Sequence, residues 1–318
     1  MVNSLFHAYT PLVTWIGLGI LLFRFIPTNF STQLGYALYW VGVPVQSFMF
    51  GRQTQLRAQT QVIPLIVVEA SLLSMGLALL FWWGRQKFNH PNAEEPLKDR
   101  HSAFERSRKG SFILAAMLGN TGFIGMTLAE VLIDPLYRNW AVIYNVCGTI
   151  TYSLAVLIAS YFGQRGTQNP WWTPLRDVLT VPSQWAFVLG LLTQDVELPL
   201  IAESGLEAMI WVVFASALLL LGLRLGSLKG WSSLELALIP AALKVLVVPG
   251  LVGLSATSLG LTGDPRLVLV LMSGVPTGLA TLILAEVYDL DRELLTSSIT
   301  LTLVGLLLVL PLWLAWFS

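Results

Sequence analysis

Ten stretches of predominantly apolar residues alternate with polar segments along the 318-residue chain. Most of them are close to the length of about 20 residues that an α-helix needs to cross a bilayer. They cover residues 10–26, 33–50, 62–83, 111–133, 140–162, 185–201, 207–228, 233–258, 267–287 and 294–317. The pattern predicts an all-α polytopic membrane protein with ten transmembrane helices, of which the first and sixth are short.

The composition agrees with a membrane protein and argues against several other classes. Hydrophobic residues make up 55% of the chain and charged residues only 11%, with a mean hydropathy of +0.71, whereas soluble domains have about 25% charged residues. The formal net charge is zero, and no basic tail or Gly-rich phosphate loop occurs, so we expect no nucleic-acid partner. Cys147 is the only cysteine and the three histidines lack metal-ligand spacing, so we expect no metal and no cofactor.

Lysine and arginine are distributed unevenly between the two sides of the predicted spans. With the N-terminus outside, 13 of the 18 basic residues fall on the inner side and 4 on the outer side, while Lys244 lies within a span. Because basic loops stay in the cytoplasm, we expect a multi-pass protein of the cytoplasmic membrane with both termini on the non-cytoplasmic side. No basic segment precedes the first apolar stretch, which favours a retained helix over a cleaved signal peptide.

A short sequence occurs twice, in the fourth and ninth spans, at an offset of 156 positions. The first copy begins at Asn120, the second begins at Pro276, and both end in Leu-Ala-Glu-Val. Ile-Pro pairs at Pro64 and Pro240 also correspond, in the third and eighth spans. Five spans per repeat would invert the second copy in the membrane. The predicted units are a first repeat of residues 1–162, a cytoplasmic connecting loop 163–184 and a second repeat 185–318.

Both copies open with residues that a straight helix avoids, about nine residues into a span and hence near the bilayer midplane. These residues are Asn120, Thr121 and Gly122 in the first copy and Pro276, Thr277 and Gly278 in the second. If the chain unwinds there, the next half-helix presents free N–H groups that attract carboxylates and other anions. Either stretch alone fits a kinked packing helix, but the matched pair favours crossed broken helices with a substrate-binding site.

Four further polar residues lie inside predicted spans. Glu69, in the middle of span three, is either a proton-accepting carboxylate or the structural partner of a cation, since an unpaired charge in the membrane is costly. Lys244 in span eight is the natural candidate for that partner, in an ion pair that is either structural or part of ion or proton coupling. Asn145 in span five and Ser273 before the second break either line the site or form helix-packing hydrogen bonds.

These motifs resemble the auxin efflux carrier family, which includes plant PIN carriers and bacterial organic-acid carriers. The matching residues are Gly119 to Gly125, Pro276 to Gly278, Leu284 to Tyr288, Leu198, Pro199, Lys244, Pro249, Leu310 and Pro311. The resemblance implies a scaffold of spans 1, 2, 6 and 7, a transport domain of the other six, a site where spans four and nine cross, and an elevator-like movement. It also implies a homodimer through the scaffold helices. Thr127 stands where family members carry proline, so we expect a shallower first break than theirs, and Thr281 stands where plant carriers have a further proline.

No span supplies the parts of an enzyme, such as His-Glu-x-x-His or a serine with a membrane-embedded histidine. We predict a secondary transporter of a small organic anion, such as an auxin-like carboxylate or a dicarboxylate, with a proton or sodium as candidate coupling ions. A cation/proton antiporter is one alternative, although residues 118–127 and 273–283 contain no acidic residue. A membrane sensor that binds its ligand without transporting it is the other.

Overall fold

The computed structural model describes residues 2–54, 58–88, 98–163, 179, 182–226 and 233–318. Within these ranges the chain is helical and has no β-strand; one isolated antiparallel bridge joins Gly119 to Thr277. The all-α class predicted from the sequence is confirmed. Most of the predicted connecting loop 163–184 lies outside the described residues.

The described residues form fourteen α-helices. They are α1 (Val2–Leu22), α2 (Thr28–Ala37), α3 (Val43–Gln53), α4 (Val62–Phe88), α5 (Lys98–Met117), α6 (Met126–Leu132), α7 (Arg138–Phe162), α8 (Pro182–Leu192), α9 (Leu200–Gly226), α10 (Leu234–Ala242), α11 (Val248–Ser258), α12 (Asp264–Ser273), α13 (Ala280–Tyr288) and α14 (Arg292–Phe317). Three π-helical segments, Leu38–Gly42, Thr121–Gly125 and Leu243–Val247, join α2 to α3, precede α6 and join α10 to α11.

Each predicted apolar stretch overlaps one of these helices or an interrupted pair. Among the described residues, five helical stretches are long and apolar enough to cross a bilayer: α4, α7, α9, α10 with α11, and α14. Two shorter apolar stretches, Tyr9–Leu22 and Thr121–Leu132, belong to α1 and to the helix around α6. The arrangement of all ten stretches as two inverted repeats stays a prediction at this point.

Some predicted boundaries were wrong. The sixth stretch, predicted over 185–201, is helical only to Leu192, because a polar Thr-Gln-Asp sequence follows it. α9 begins at Leu200, seven residues before the predicted start at 207: the Pro199 carbonyl accepts the first backbone bond of this helix, from Ala202 N at 2.8 Å. α5 begins at Lys98, within the predicted charged loop 84–110, because polar side chains can extend a helix beyond its apolar part.

Prolines distort two of the helices without ending them. Pro44 and Pro249 each lie just after a π-helical segment. Proline has no N–H, so the carbonyl of the residue four positions before it loses its helical hydrogen bond. In both cases that residue lies within the π-helical segment. A π segment is a local way to rearrange the hydrogen bonds at such a point, so these helices continue through the proline as predicted.

Two pairs of helices approach each other at glycines. A Cβ atom added to Gly19 of α1 would lie 2.4 Å from the Leu219 carbonyl oxygen of α9, and one added to Gly222 would lie 2.2 Å from the Ile16 oxygen. Gly51 of α3 and Gly190 of α8 face each other in the same way, with corresponding distances of 2.4 and 2.2 Å to backbone oxygens. Small residues allow helix backbones in a membrane to come this close.

Candidate functional site

The fourth and ninth spans are both interrupted at the repeated motif. α5 ends at Met117 and the next helical turn begins at Thr121, so three residues lie outside the helix. α12 ends at Ser273 and α13 begins at Ala280, which leaves six residues outside. The first break is therefore the shorter of the two.

The two breaks lie side by side and pair through their backbones. Asn120 N donates to the Pro276 oxygen at 2.8 Å, and Gly278 N donates to the Leu118 oxygen at 2.8 Å. Two of the N–H groups that were expected to face a ligand are therefore used to join one break to the other. This pairing brings the two copies of the motif into contact although they are 156 positions apart in the sequence.

Glycine occupies both sides of this contact. A Cβ atom on Gly278 would lie 3.1 Å from the carbonyl oxygen of Gly119. On Gly119, an added Cβ would lie 2.8 Å from a methyl group of Val275 and 2.9 Å from Lys244 Nζ. The close approach of the two backbones therefore depends on the absence of side chains at these positions.

Side chains from two other helices reach the first break. Thr121 Oγ1 donates to Asn145 Oδ1 of α7 at 2.7 Å, so Asn145 lies at the predicted site. Gln46 of α3 is only 2% exposed, and its Nε2 donates to the Gly122 carbonyl at 3.1 Å. Gln46 was not predicted as a site residue, although an amide within an apolar stretch was an available signal.

Two of the predicted ligand residues have their hydroxyl groups engaged within the protein. Thr277 Oγ1 donates to the Ala115 oxygen at 2.8 Å, and Ser273 Oγ donates to the Val270 oxygen at 3.0 Å. Each residue is only 1% exposed. The backbone N–H of Thr277 donates to Thr302 Oγ1 at 3.0 Å, a second contact that the sequence did not reveal. In this conformation both residues stabilise the breaks.

The Asn120 side chain differs from these hydroxyls. The residue is 8% exposed, and within the described part of the chain its amide group has no hydrogen-bond partner. Its backbone N–H is held by the second break, so the position of the residue is fixed while the amide is available. Asn120 is thus the predicted site residue best placed to bind a polar ligand.

Lys244 is the only charged residue among the buried residues of the described ranges, with 4% exposure. Its Nζ donates to the Met117 oxygen at 3.3 Å and to the Ser273 oxygen at 3.1 Å. Met117 and Ser273 are the last residues of α5 and α12, the two half-helices that end at the breaks. The ammonium group therefore lies where two partially negative helix ends meet.

The candidate ion pair between Glu69 and Lys244 is not formed in this conformation. Glu69 Oε1 instead accepts a hydrogen bond from Ser255 Oγ of α11, and the described residues contain no salt bridge of Lys244. Ser255 and Lys244 lie eleven positions apart in one helical stretch, or about 16 Å along its axis. Glu69 and Lys244 therefore contact groups at different levels along this helical stretch.

A small cavity adjoins the first break and Lys244. Its volume is about 30 Å³, enough for about one water molecule. The polar residues that line it are Ser71, Ser74, Thr121, Tyr144, Thr151 and Lys244. In this conformation the cavity therefore offers little more space than a water molecule needs.

Comparisons with known proteins match this chain to membrane transporters. The sequence profile of a family described as Membrane transport protein matches residues 171–314. An uncharacterized transporter of Methanocaldococcus jannaschii is 26% identical over 209 residues, which cover 64% of this chain and 67% of the relative. A second uncharacterized transporter, from Methanothermobacter thermautotrophicus, is 25% identical over 216 residues, covering 67% of this chain and 70% of the relative.

The resemblance to the auxin efflux carrier family is confirmed. The chain is a membrane transporter, and its apolar helices make it a multi-pass membrane protein. The family profile covers the second break and Lys244 but not the first break. The first break is related to the matched region by its similar sequence 156 positions earlier and by its backbone hydrogen bonds to the second break.

Proposed function

We propose that this protein is a secondary transporter that moves a small organic anion across the cytoplasmic membrane, with the paired breaks as its substrate site. The observation that carries the proposal is the arrangement around the breaks: the amide of Asn120 is available, and the buried ammonium of Lys244 supplies positive charge nearby. A buried cation at this position favours an anionic over a cationic substrate, which argues against the cation/proton antiporter.

We also propose the ten-helix inverted repeat, which the glycine contacts support. Gly19 and Gly190 are 171 positions apart, and so are Gly51 and Gly222. In an inverted repeat, spans one and two correspond to spans six and seven. The contact between spans one and seven then corresponds to the contact between spans six and two. Gly19 and Gly222 meet in the first of these contacts, and Gly190 and Gly51 meet in the second.

An elevator-like movement fits the way the helices pack. α1, α2, α3, α8 and α9 correspond to the proposed scaffold, and the remaining helices carry both breaks and the cavity. Gln46 provides a hydrogen bond between the two groups at Gly122. Sliding one group past the other would break this bond and give the closed site access to one side of the membrane. The hydroxyl-rich lining favours a small polar carboxylate.

Replacing Asn120 with alanine is expected to lower anion uptake at least about tenfold, since the substrate loses a hydrogen-bond partner in a water-poor site. Uptake of labelled monocarboxylates and dicarboxylates into proteoliposomes measures the effect. Asn29→Ala, at an exposed asparagine near the start of α2, is the control and should transport normally. Ligand binding by the wild type without any flux would favour the sensor, and unchanged uptake by Asn120→Ala would argue against this substrate site.

The proposed orientation gives a separate prediction. Arg106 and Arg108 lie at one end of the molecule, where Arg106 stacks on Tyr161 at 5.2 Å and Arg108 Nε lies 3.5 Å from Asp291 Oδ2. We propose that this basic end faces the cytoplasm.

A single-cysteine test checks this orientation. In a Cys147→Ala background, Ser318→Cys should react with a membrane-impermeant maleimide in intact cells. Lys87→Cys, at an exposed position, should react only after the membrane is permeabilised, because the proposed orientation places it on the cytoplasmic side. The reverse labelling pattern would show that the topology is inverted.

A further inference from the structure

The carbonyl ends of two half-helices point at one amino group. The oxygens of Met117 and Ser273 both accept hydrogen bonds from Lys244 Nζ, at 3.3 and 3.1 Å. Each oxygen belongs to the last residue of a helix, where the helix dipole places partial negative charge. The site therefore has the chemistry of a cation-binding site, and the cation in it is part of the protein.

Carriers built from discontinuous helices use such helix ends and unwound carbonyls to bind a coupling ion such as sodium. We propose that Lys244 takes the place of that ion, so that this transporter works without sodium and removal of the side chain creates a sodium site. The part concerning transport rests on the proposed function, whereas the part concerning sodium binding can be tested without a substrate.

The surroundings of Lys244 fit a permanently filled site. The residue is 4% exposed. A Cβ atom added to Gly119 would lie 2.9 Å from Lys244 Nζ and 3.1 Å from its Cε, so the absence of a side chain at Gly119 leaves space for the lysine. An ammonium group attached to the helix cannot be released with the substrate. Its charge thus holds the ends of α5 and α12 together through the transport cycle.

Shortening this side chain would leave space for an ion. Two carbonyl oxygens would remain at the breaks, and the adjoining cavity of about 30 Å³ could supply water as a further ligand. Hard cations such as sodium prefer oxygen ligands of this kind. Lys244→Ala leaves space for an ion and removes the positive charge that sodium would replace.

Thermal unfolding of the purified protein in sodium chloride and in choline chloride, at equal ionic strength, tests the binding. We expect equal Tm values in both salts for the wild type, and a Tm of Lys244→Ala that is higher by about 3 °C or more in sodium. Lys244→Met, which refills the space without charge, and Lys244→Arg, which retains the charge, should show no sodium effect. A sodium effect in the wild type, or none in Lys244→Ala, would overturn the proposal.

If Lys244→Ala can be purified only in the presence of sodium, that result would support the proposal as well. Failure of Lys244→Ala to fold in either salt would count against it, because sodium should restore the missing charge. Uptake in proteoliposomes then tests the consequence for transport: wild-type rates should agree within about twofold in the two salts, while Lys244→Ala should be at least about fivefold faster in sodium. Absence of any anion uptake by the wild type would refute the proposed function and leave the sodium-binding result standing.

Discussion

Gly19→Val is expected to leave almost no folded transporter in the membrane. The Cβ of the new side chain would lie 2.4 Å from the Leu219 oxygen and 2.8 Å from the Gly222 Cα. Both are backbone atoms and cannot rotate away, so α1 and α9 must separate along their contact. Overpacking of this kind costs about 3 kcal/mol or more, and the loss of van der Waals contacts between the two helices adds to it.

Gly17→Val is the matched control for this prediction. It lies two positions away in the same helix, and a Cβ added there would meet no atom within 4 Å. Size-exclusion chromatography of fluorescent fusions in mild detergent compares the two variants. We expect a monodisperse peak for Gly17→Val and loss of at least about nine-tenths of that peak for Gly19→Val. Equal peaks would mean that α1 and α9 do not pack at these glycines.

Apolar runs and helix-breaking residues made the main features of the fold predictable. A membrane permits few structures other than helices, so the length of each apolar run predicted where a helix would lie. Asn120 and Pro276 could be recognised as break positions because both are followed by Thr-Gly and, after five intervening residues, by Leu-Ala-Glu-Val. The comparison of one half of the chain with the other thus supplied information that neither stretch contained alone.

The partners of individual side chains were not predictable in this way. The apolar pattern gives the depth of a residue in the membrane but only weakly the direction in which it points. Glu69 and Lys244 therefore seemed suited to each other, whereas the structure pairs them with Ser255 and with helix-end carbonyls. Gln46 bonds a backbone oxygen of the first break, a contact that depends on how two helices pack.

The backbone pairing of the two breaks leads to the prediction that bears most directly on transport. Gly278 donates its N–H to the Leu118 oxygen at 2.8 Å, while its Cα faces the carbonyl of Gly119. In Gly278→Val, the Cβ would lie 3.1 Å from that carbonyl oxygen, and the two added methyl groups need further room. The second break must then move away from the first, which weakens both backbone hydrogen bonds and displaces Asn120 from the site.

We expect Gly278→Val to lower anion uptake at least about 100-fold, because a shift of the breaks removes several substrate contacts at once. Unlike Gly19→Val, it should still give a folded protein, since the helices on either side of the break retain their packing. Gly76→Val in α4 is the control, because a Cβ there meets no atom within 4 Å. Normal uptake by Gly278→Val would show that transport does not depend on the pairing of the breaks. Loss of both folding and uptake would instead assign this pairing a role in stability, because the variant would then resemble Gly19→Val.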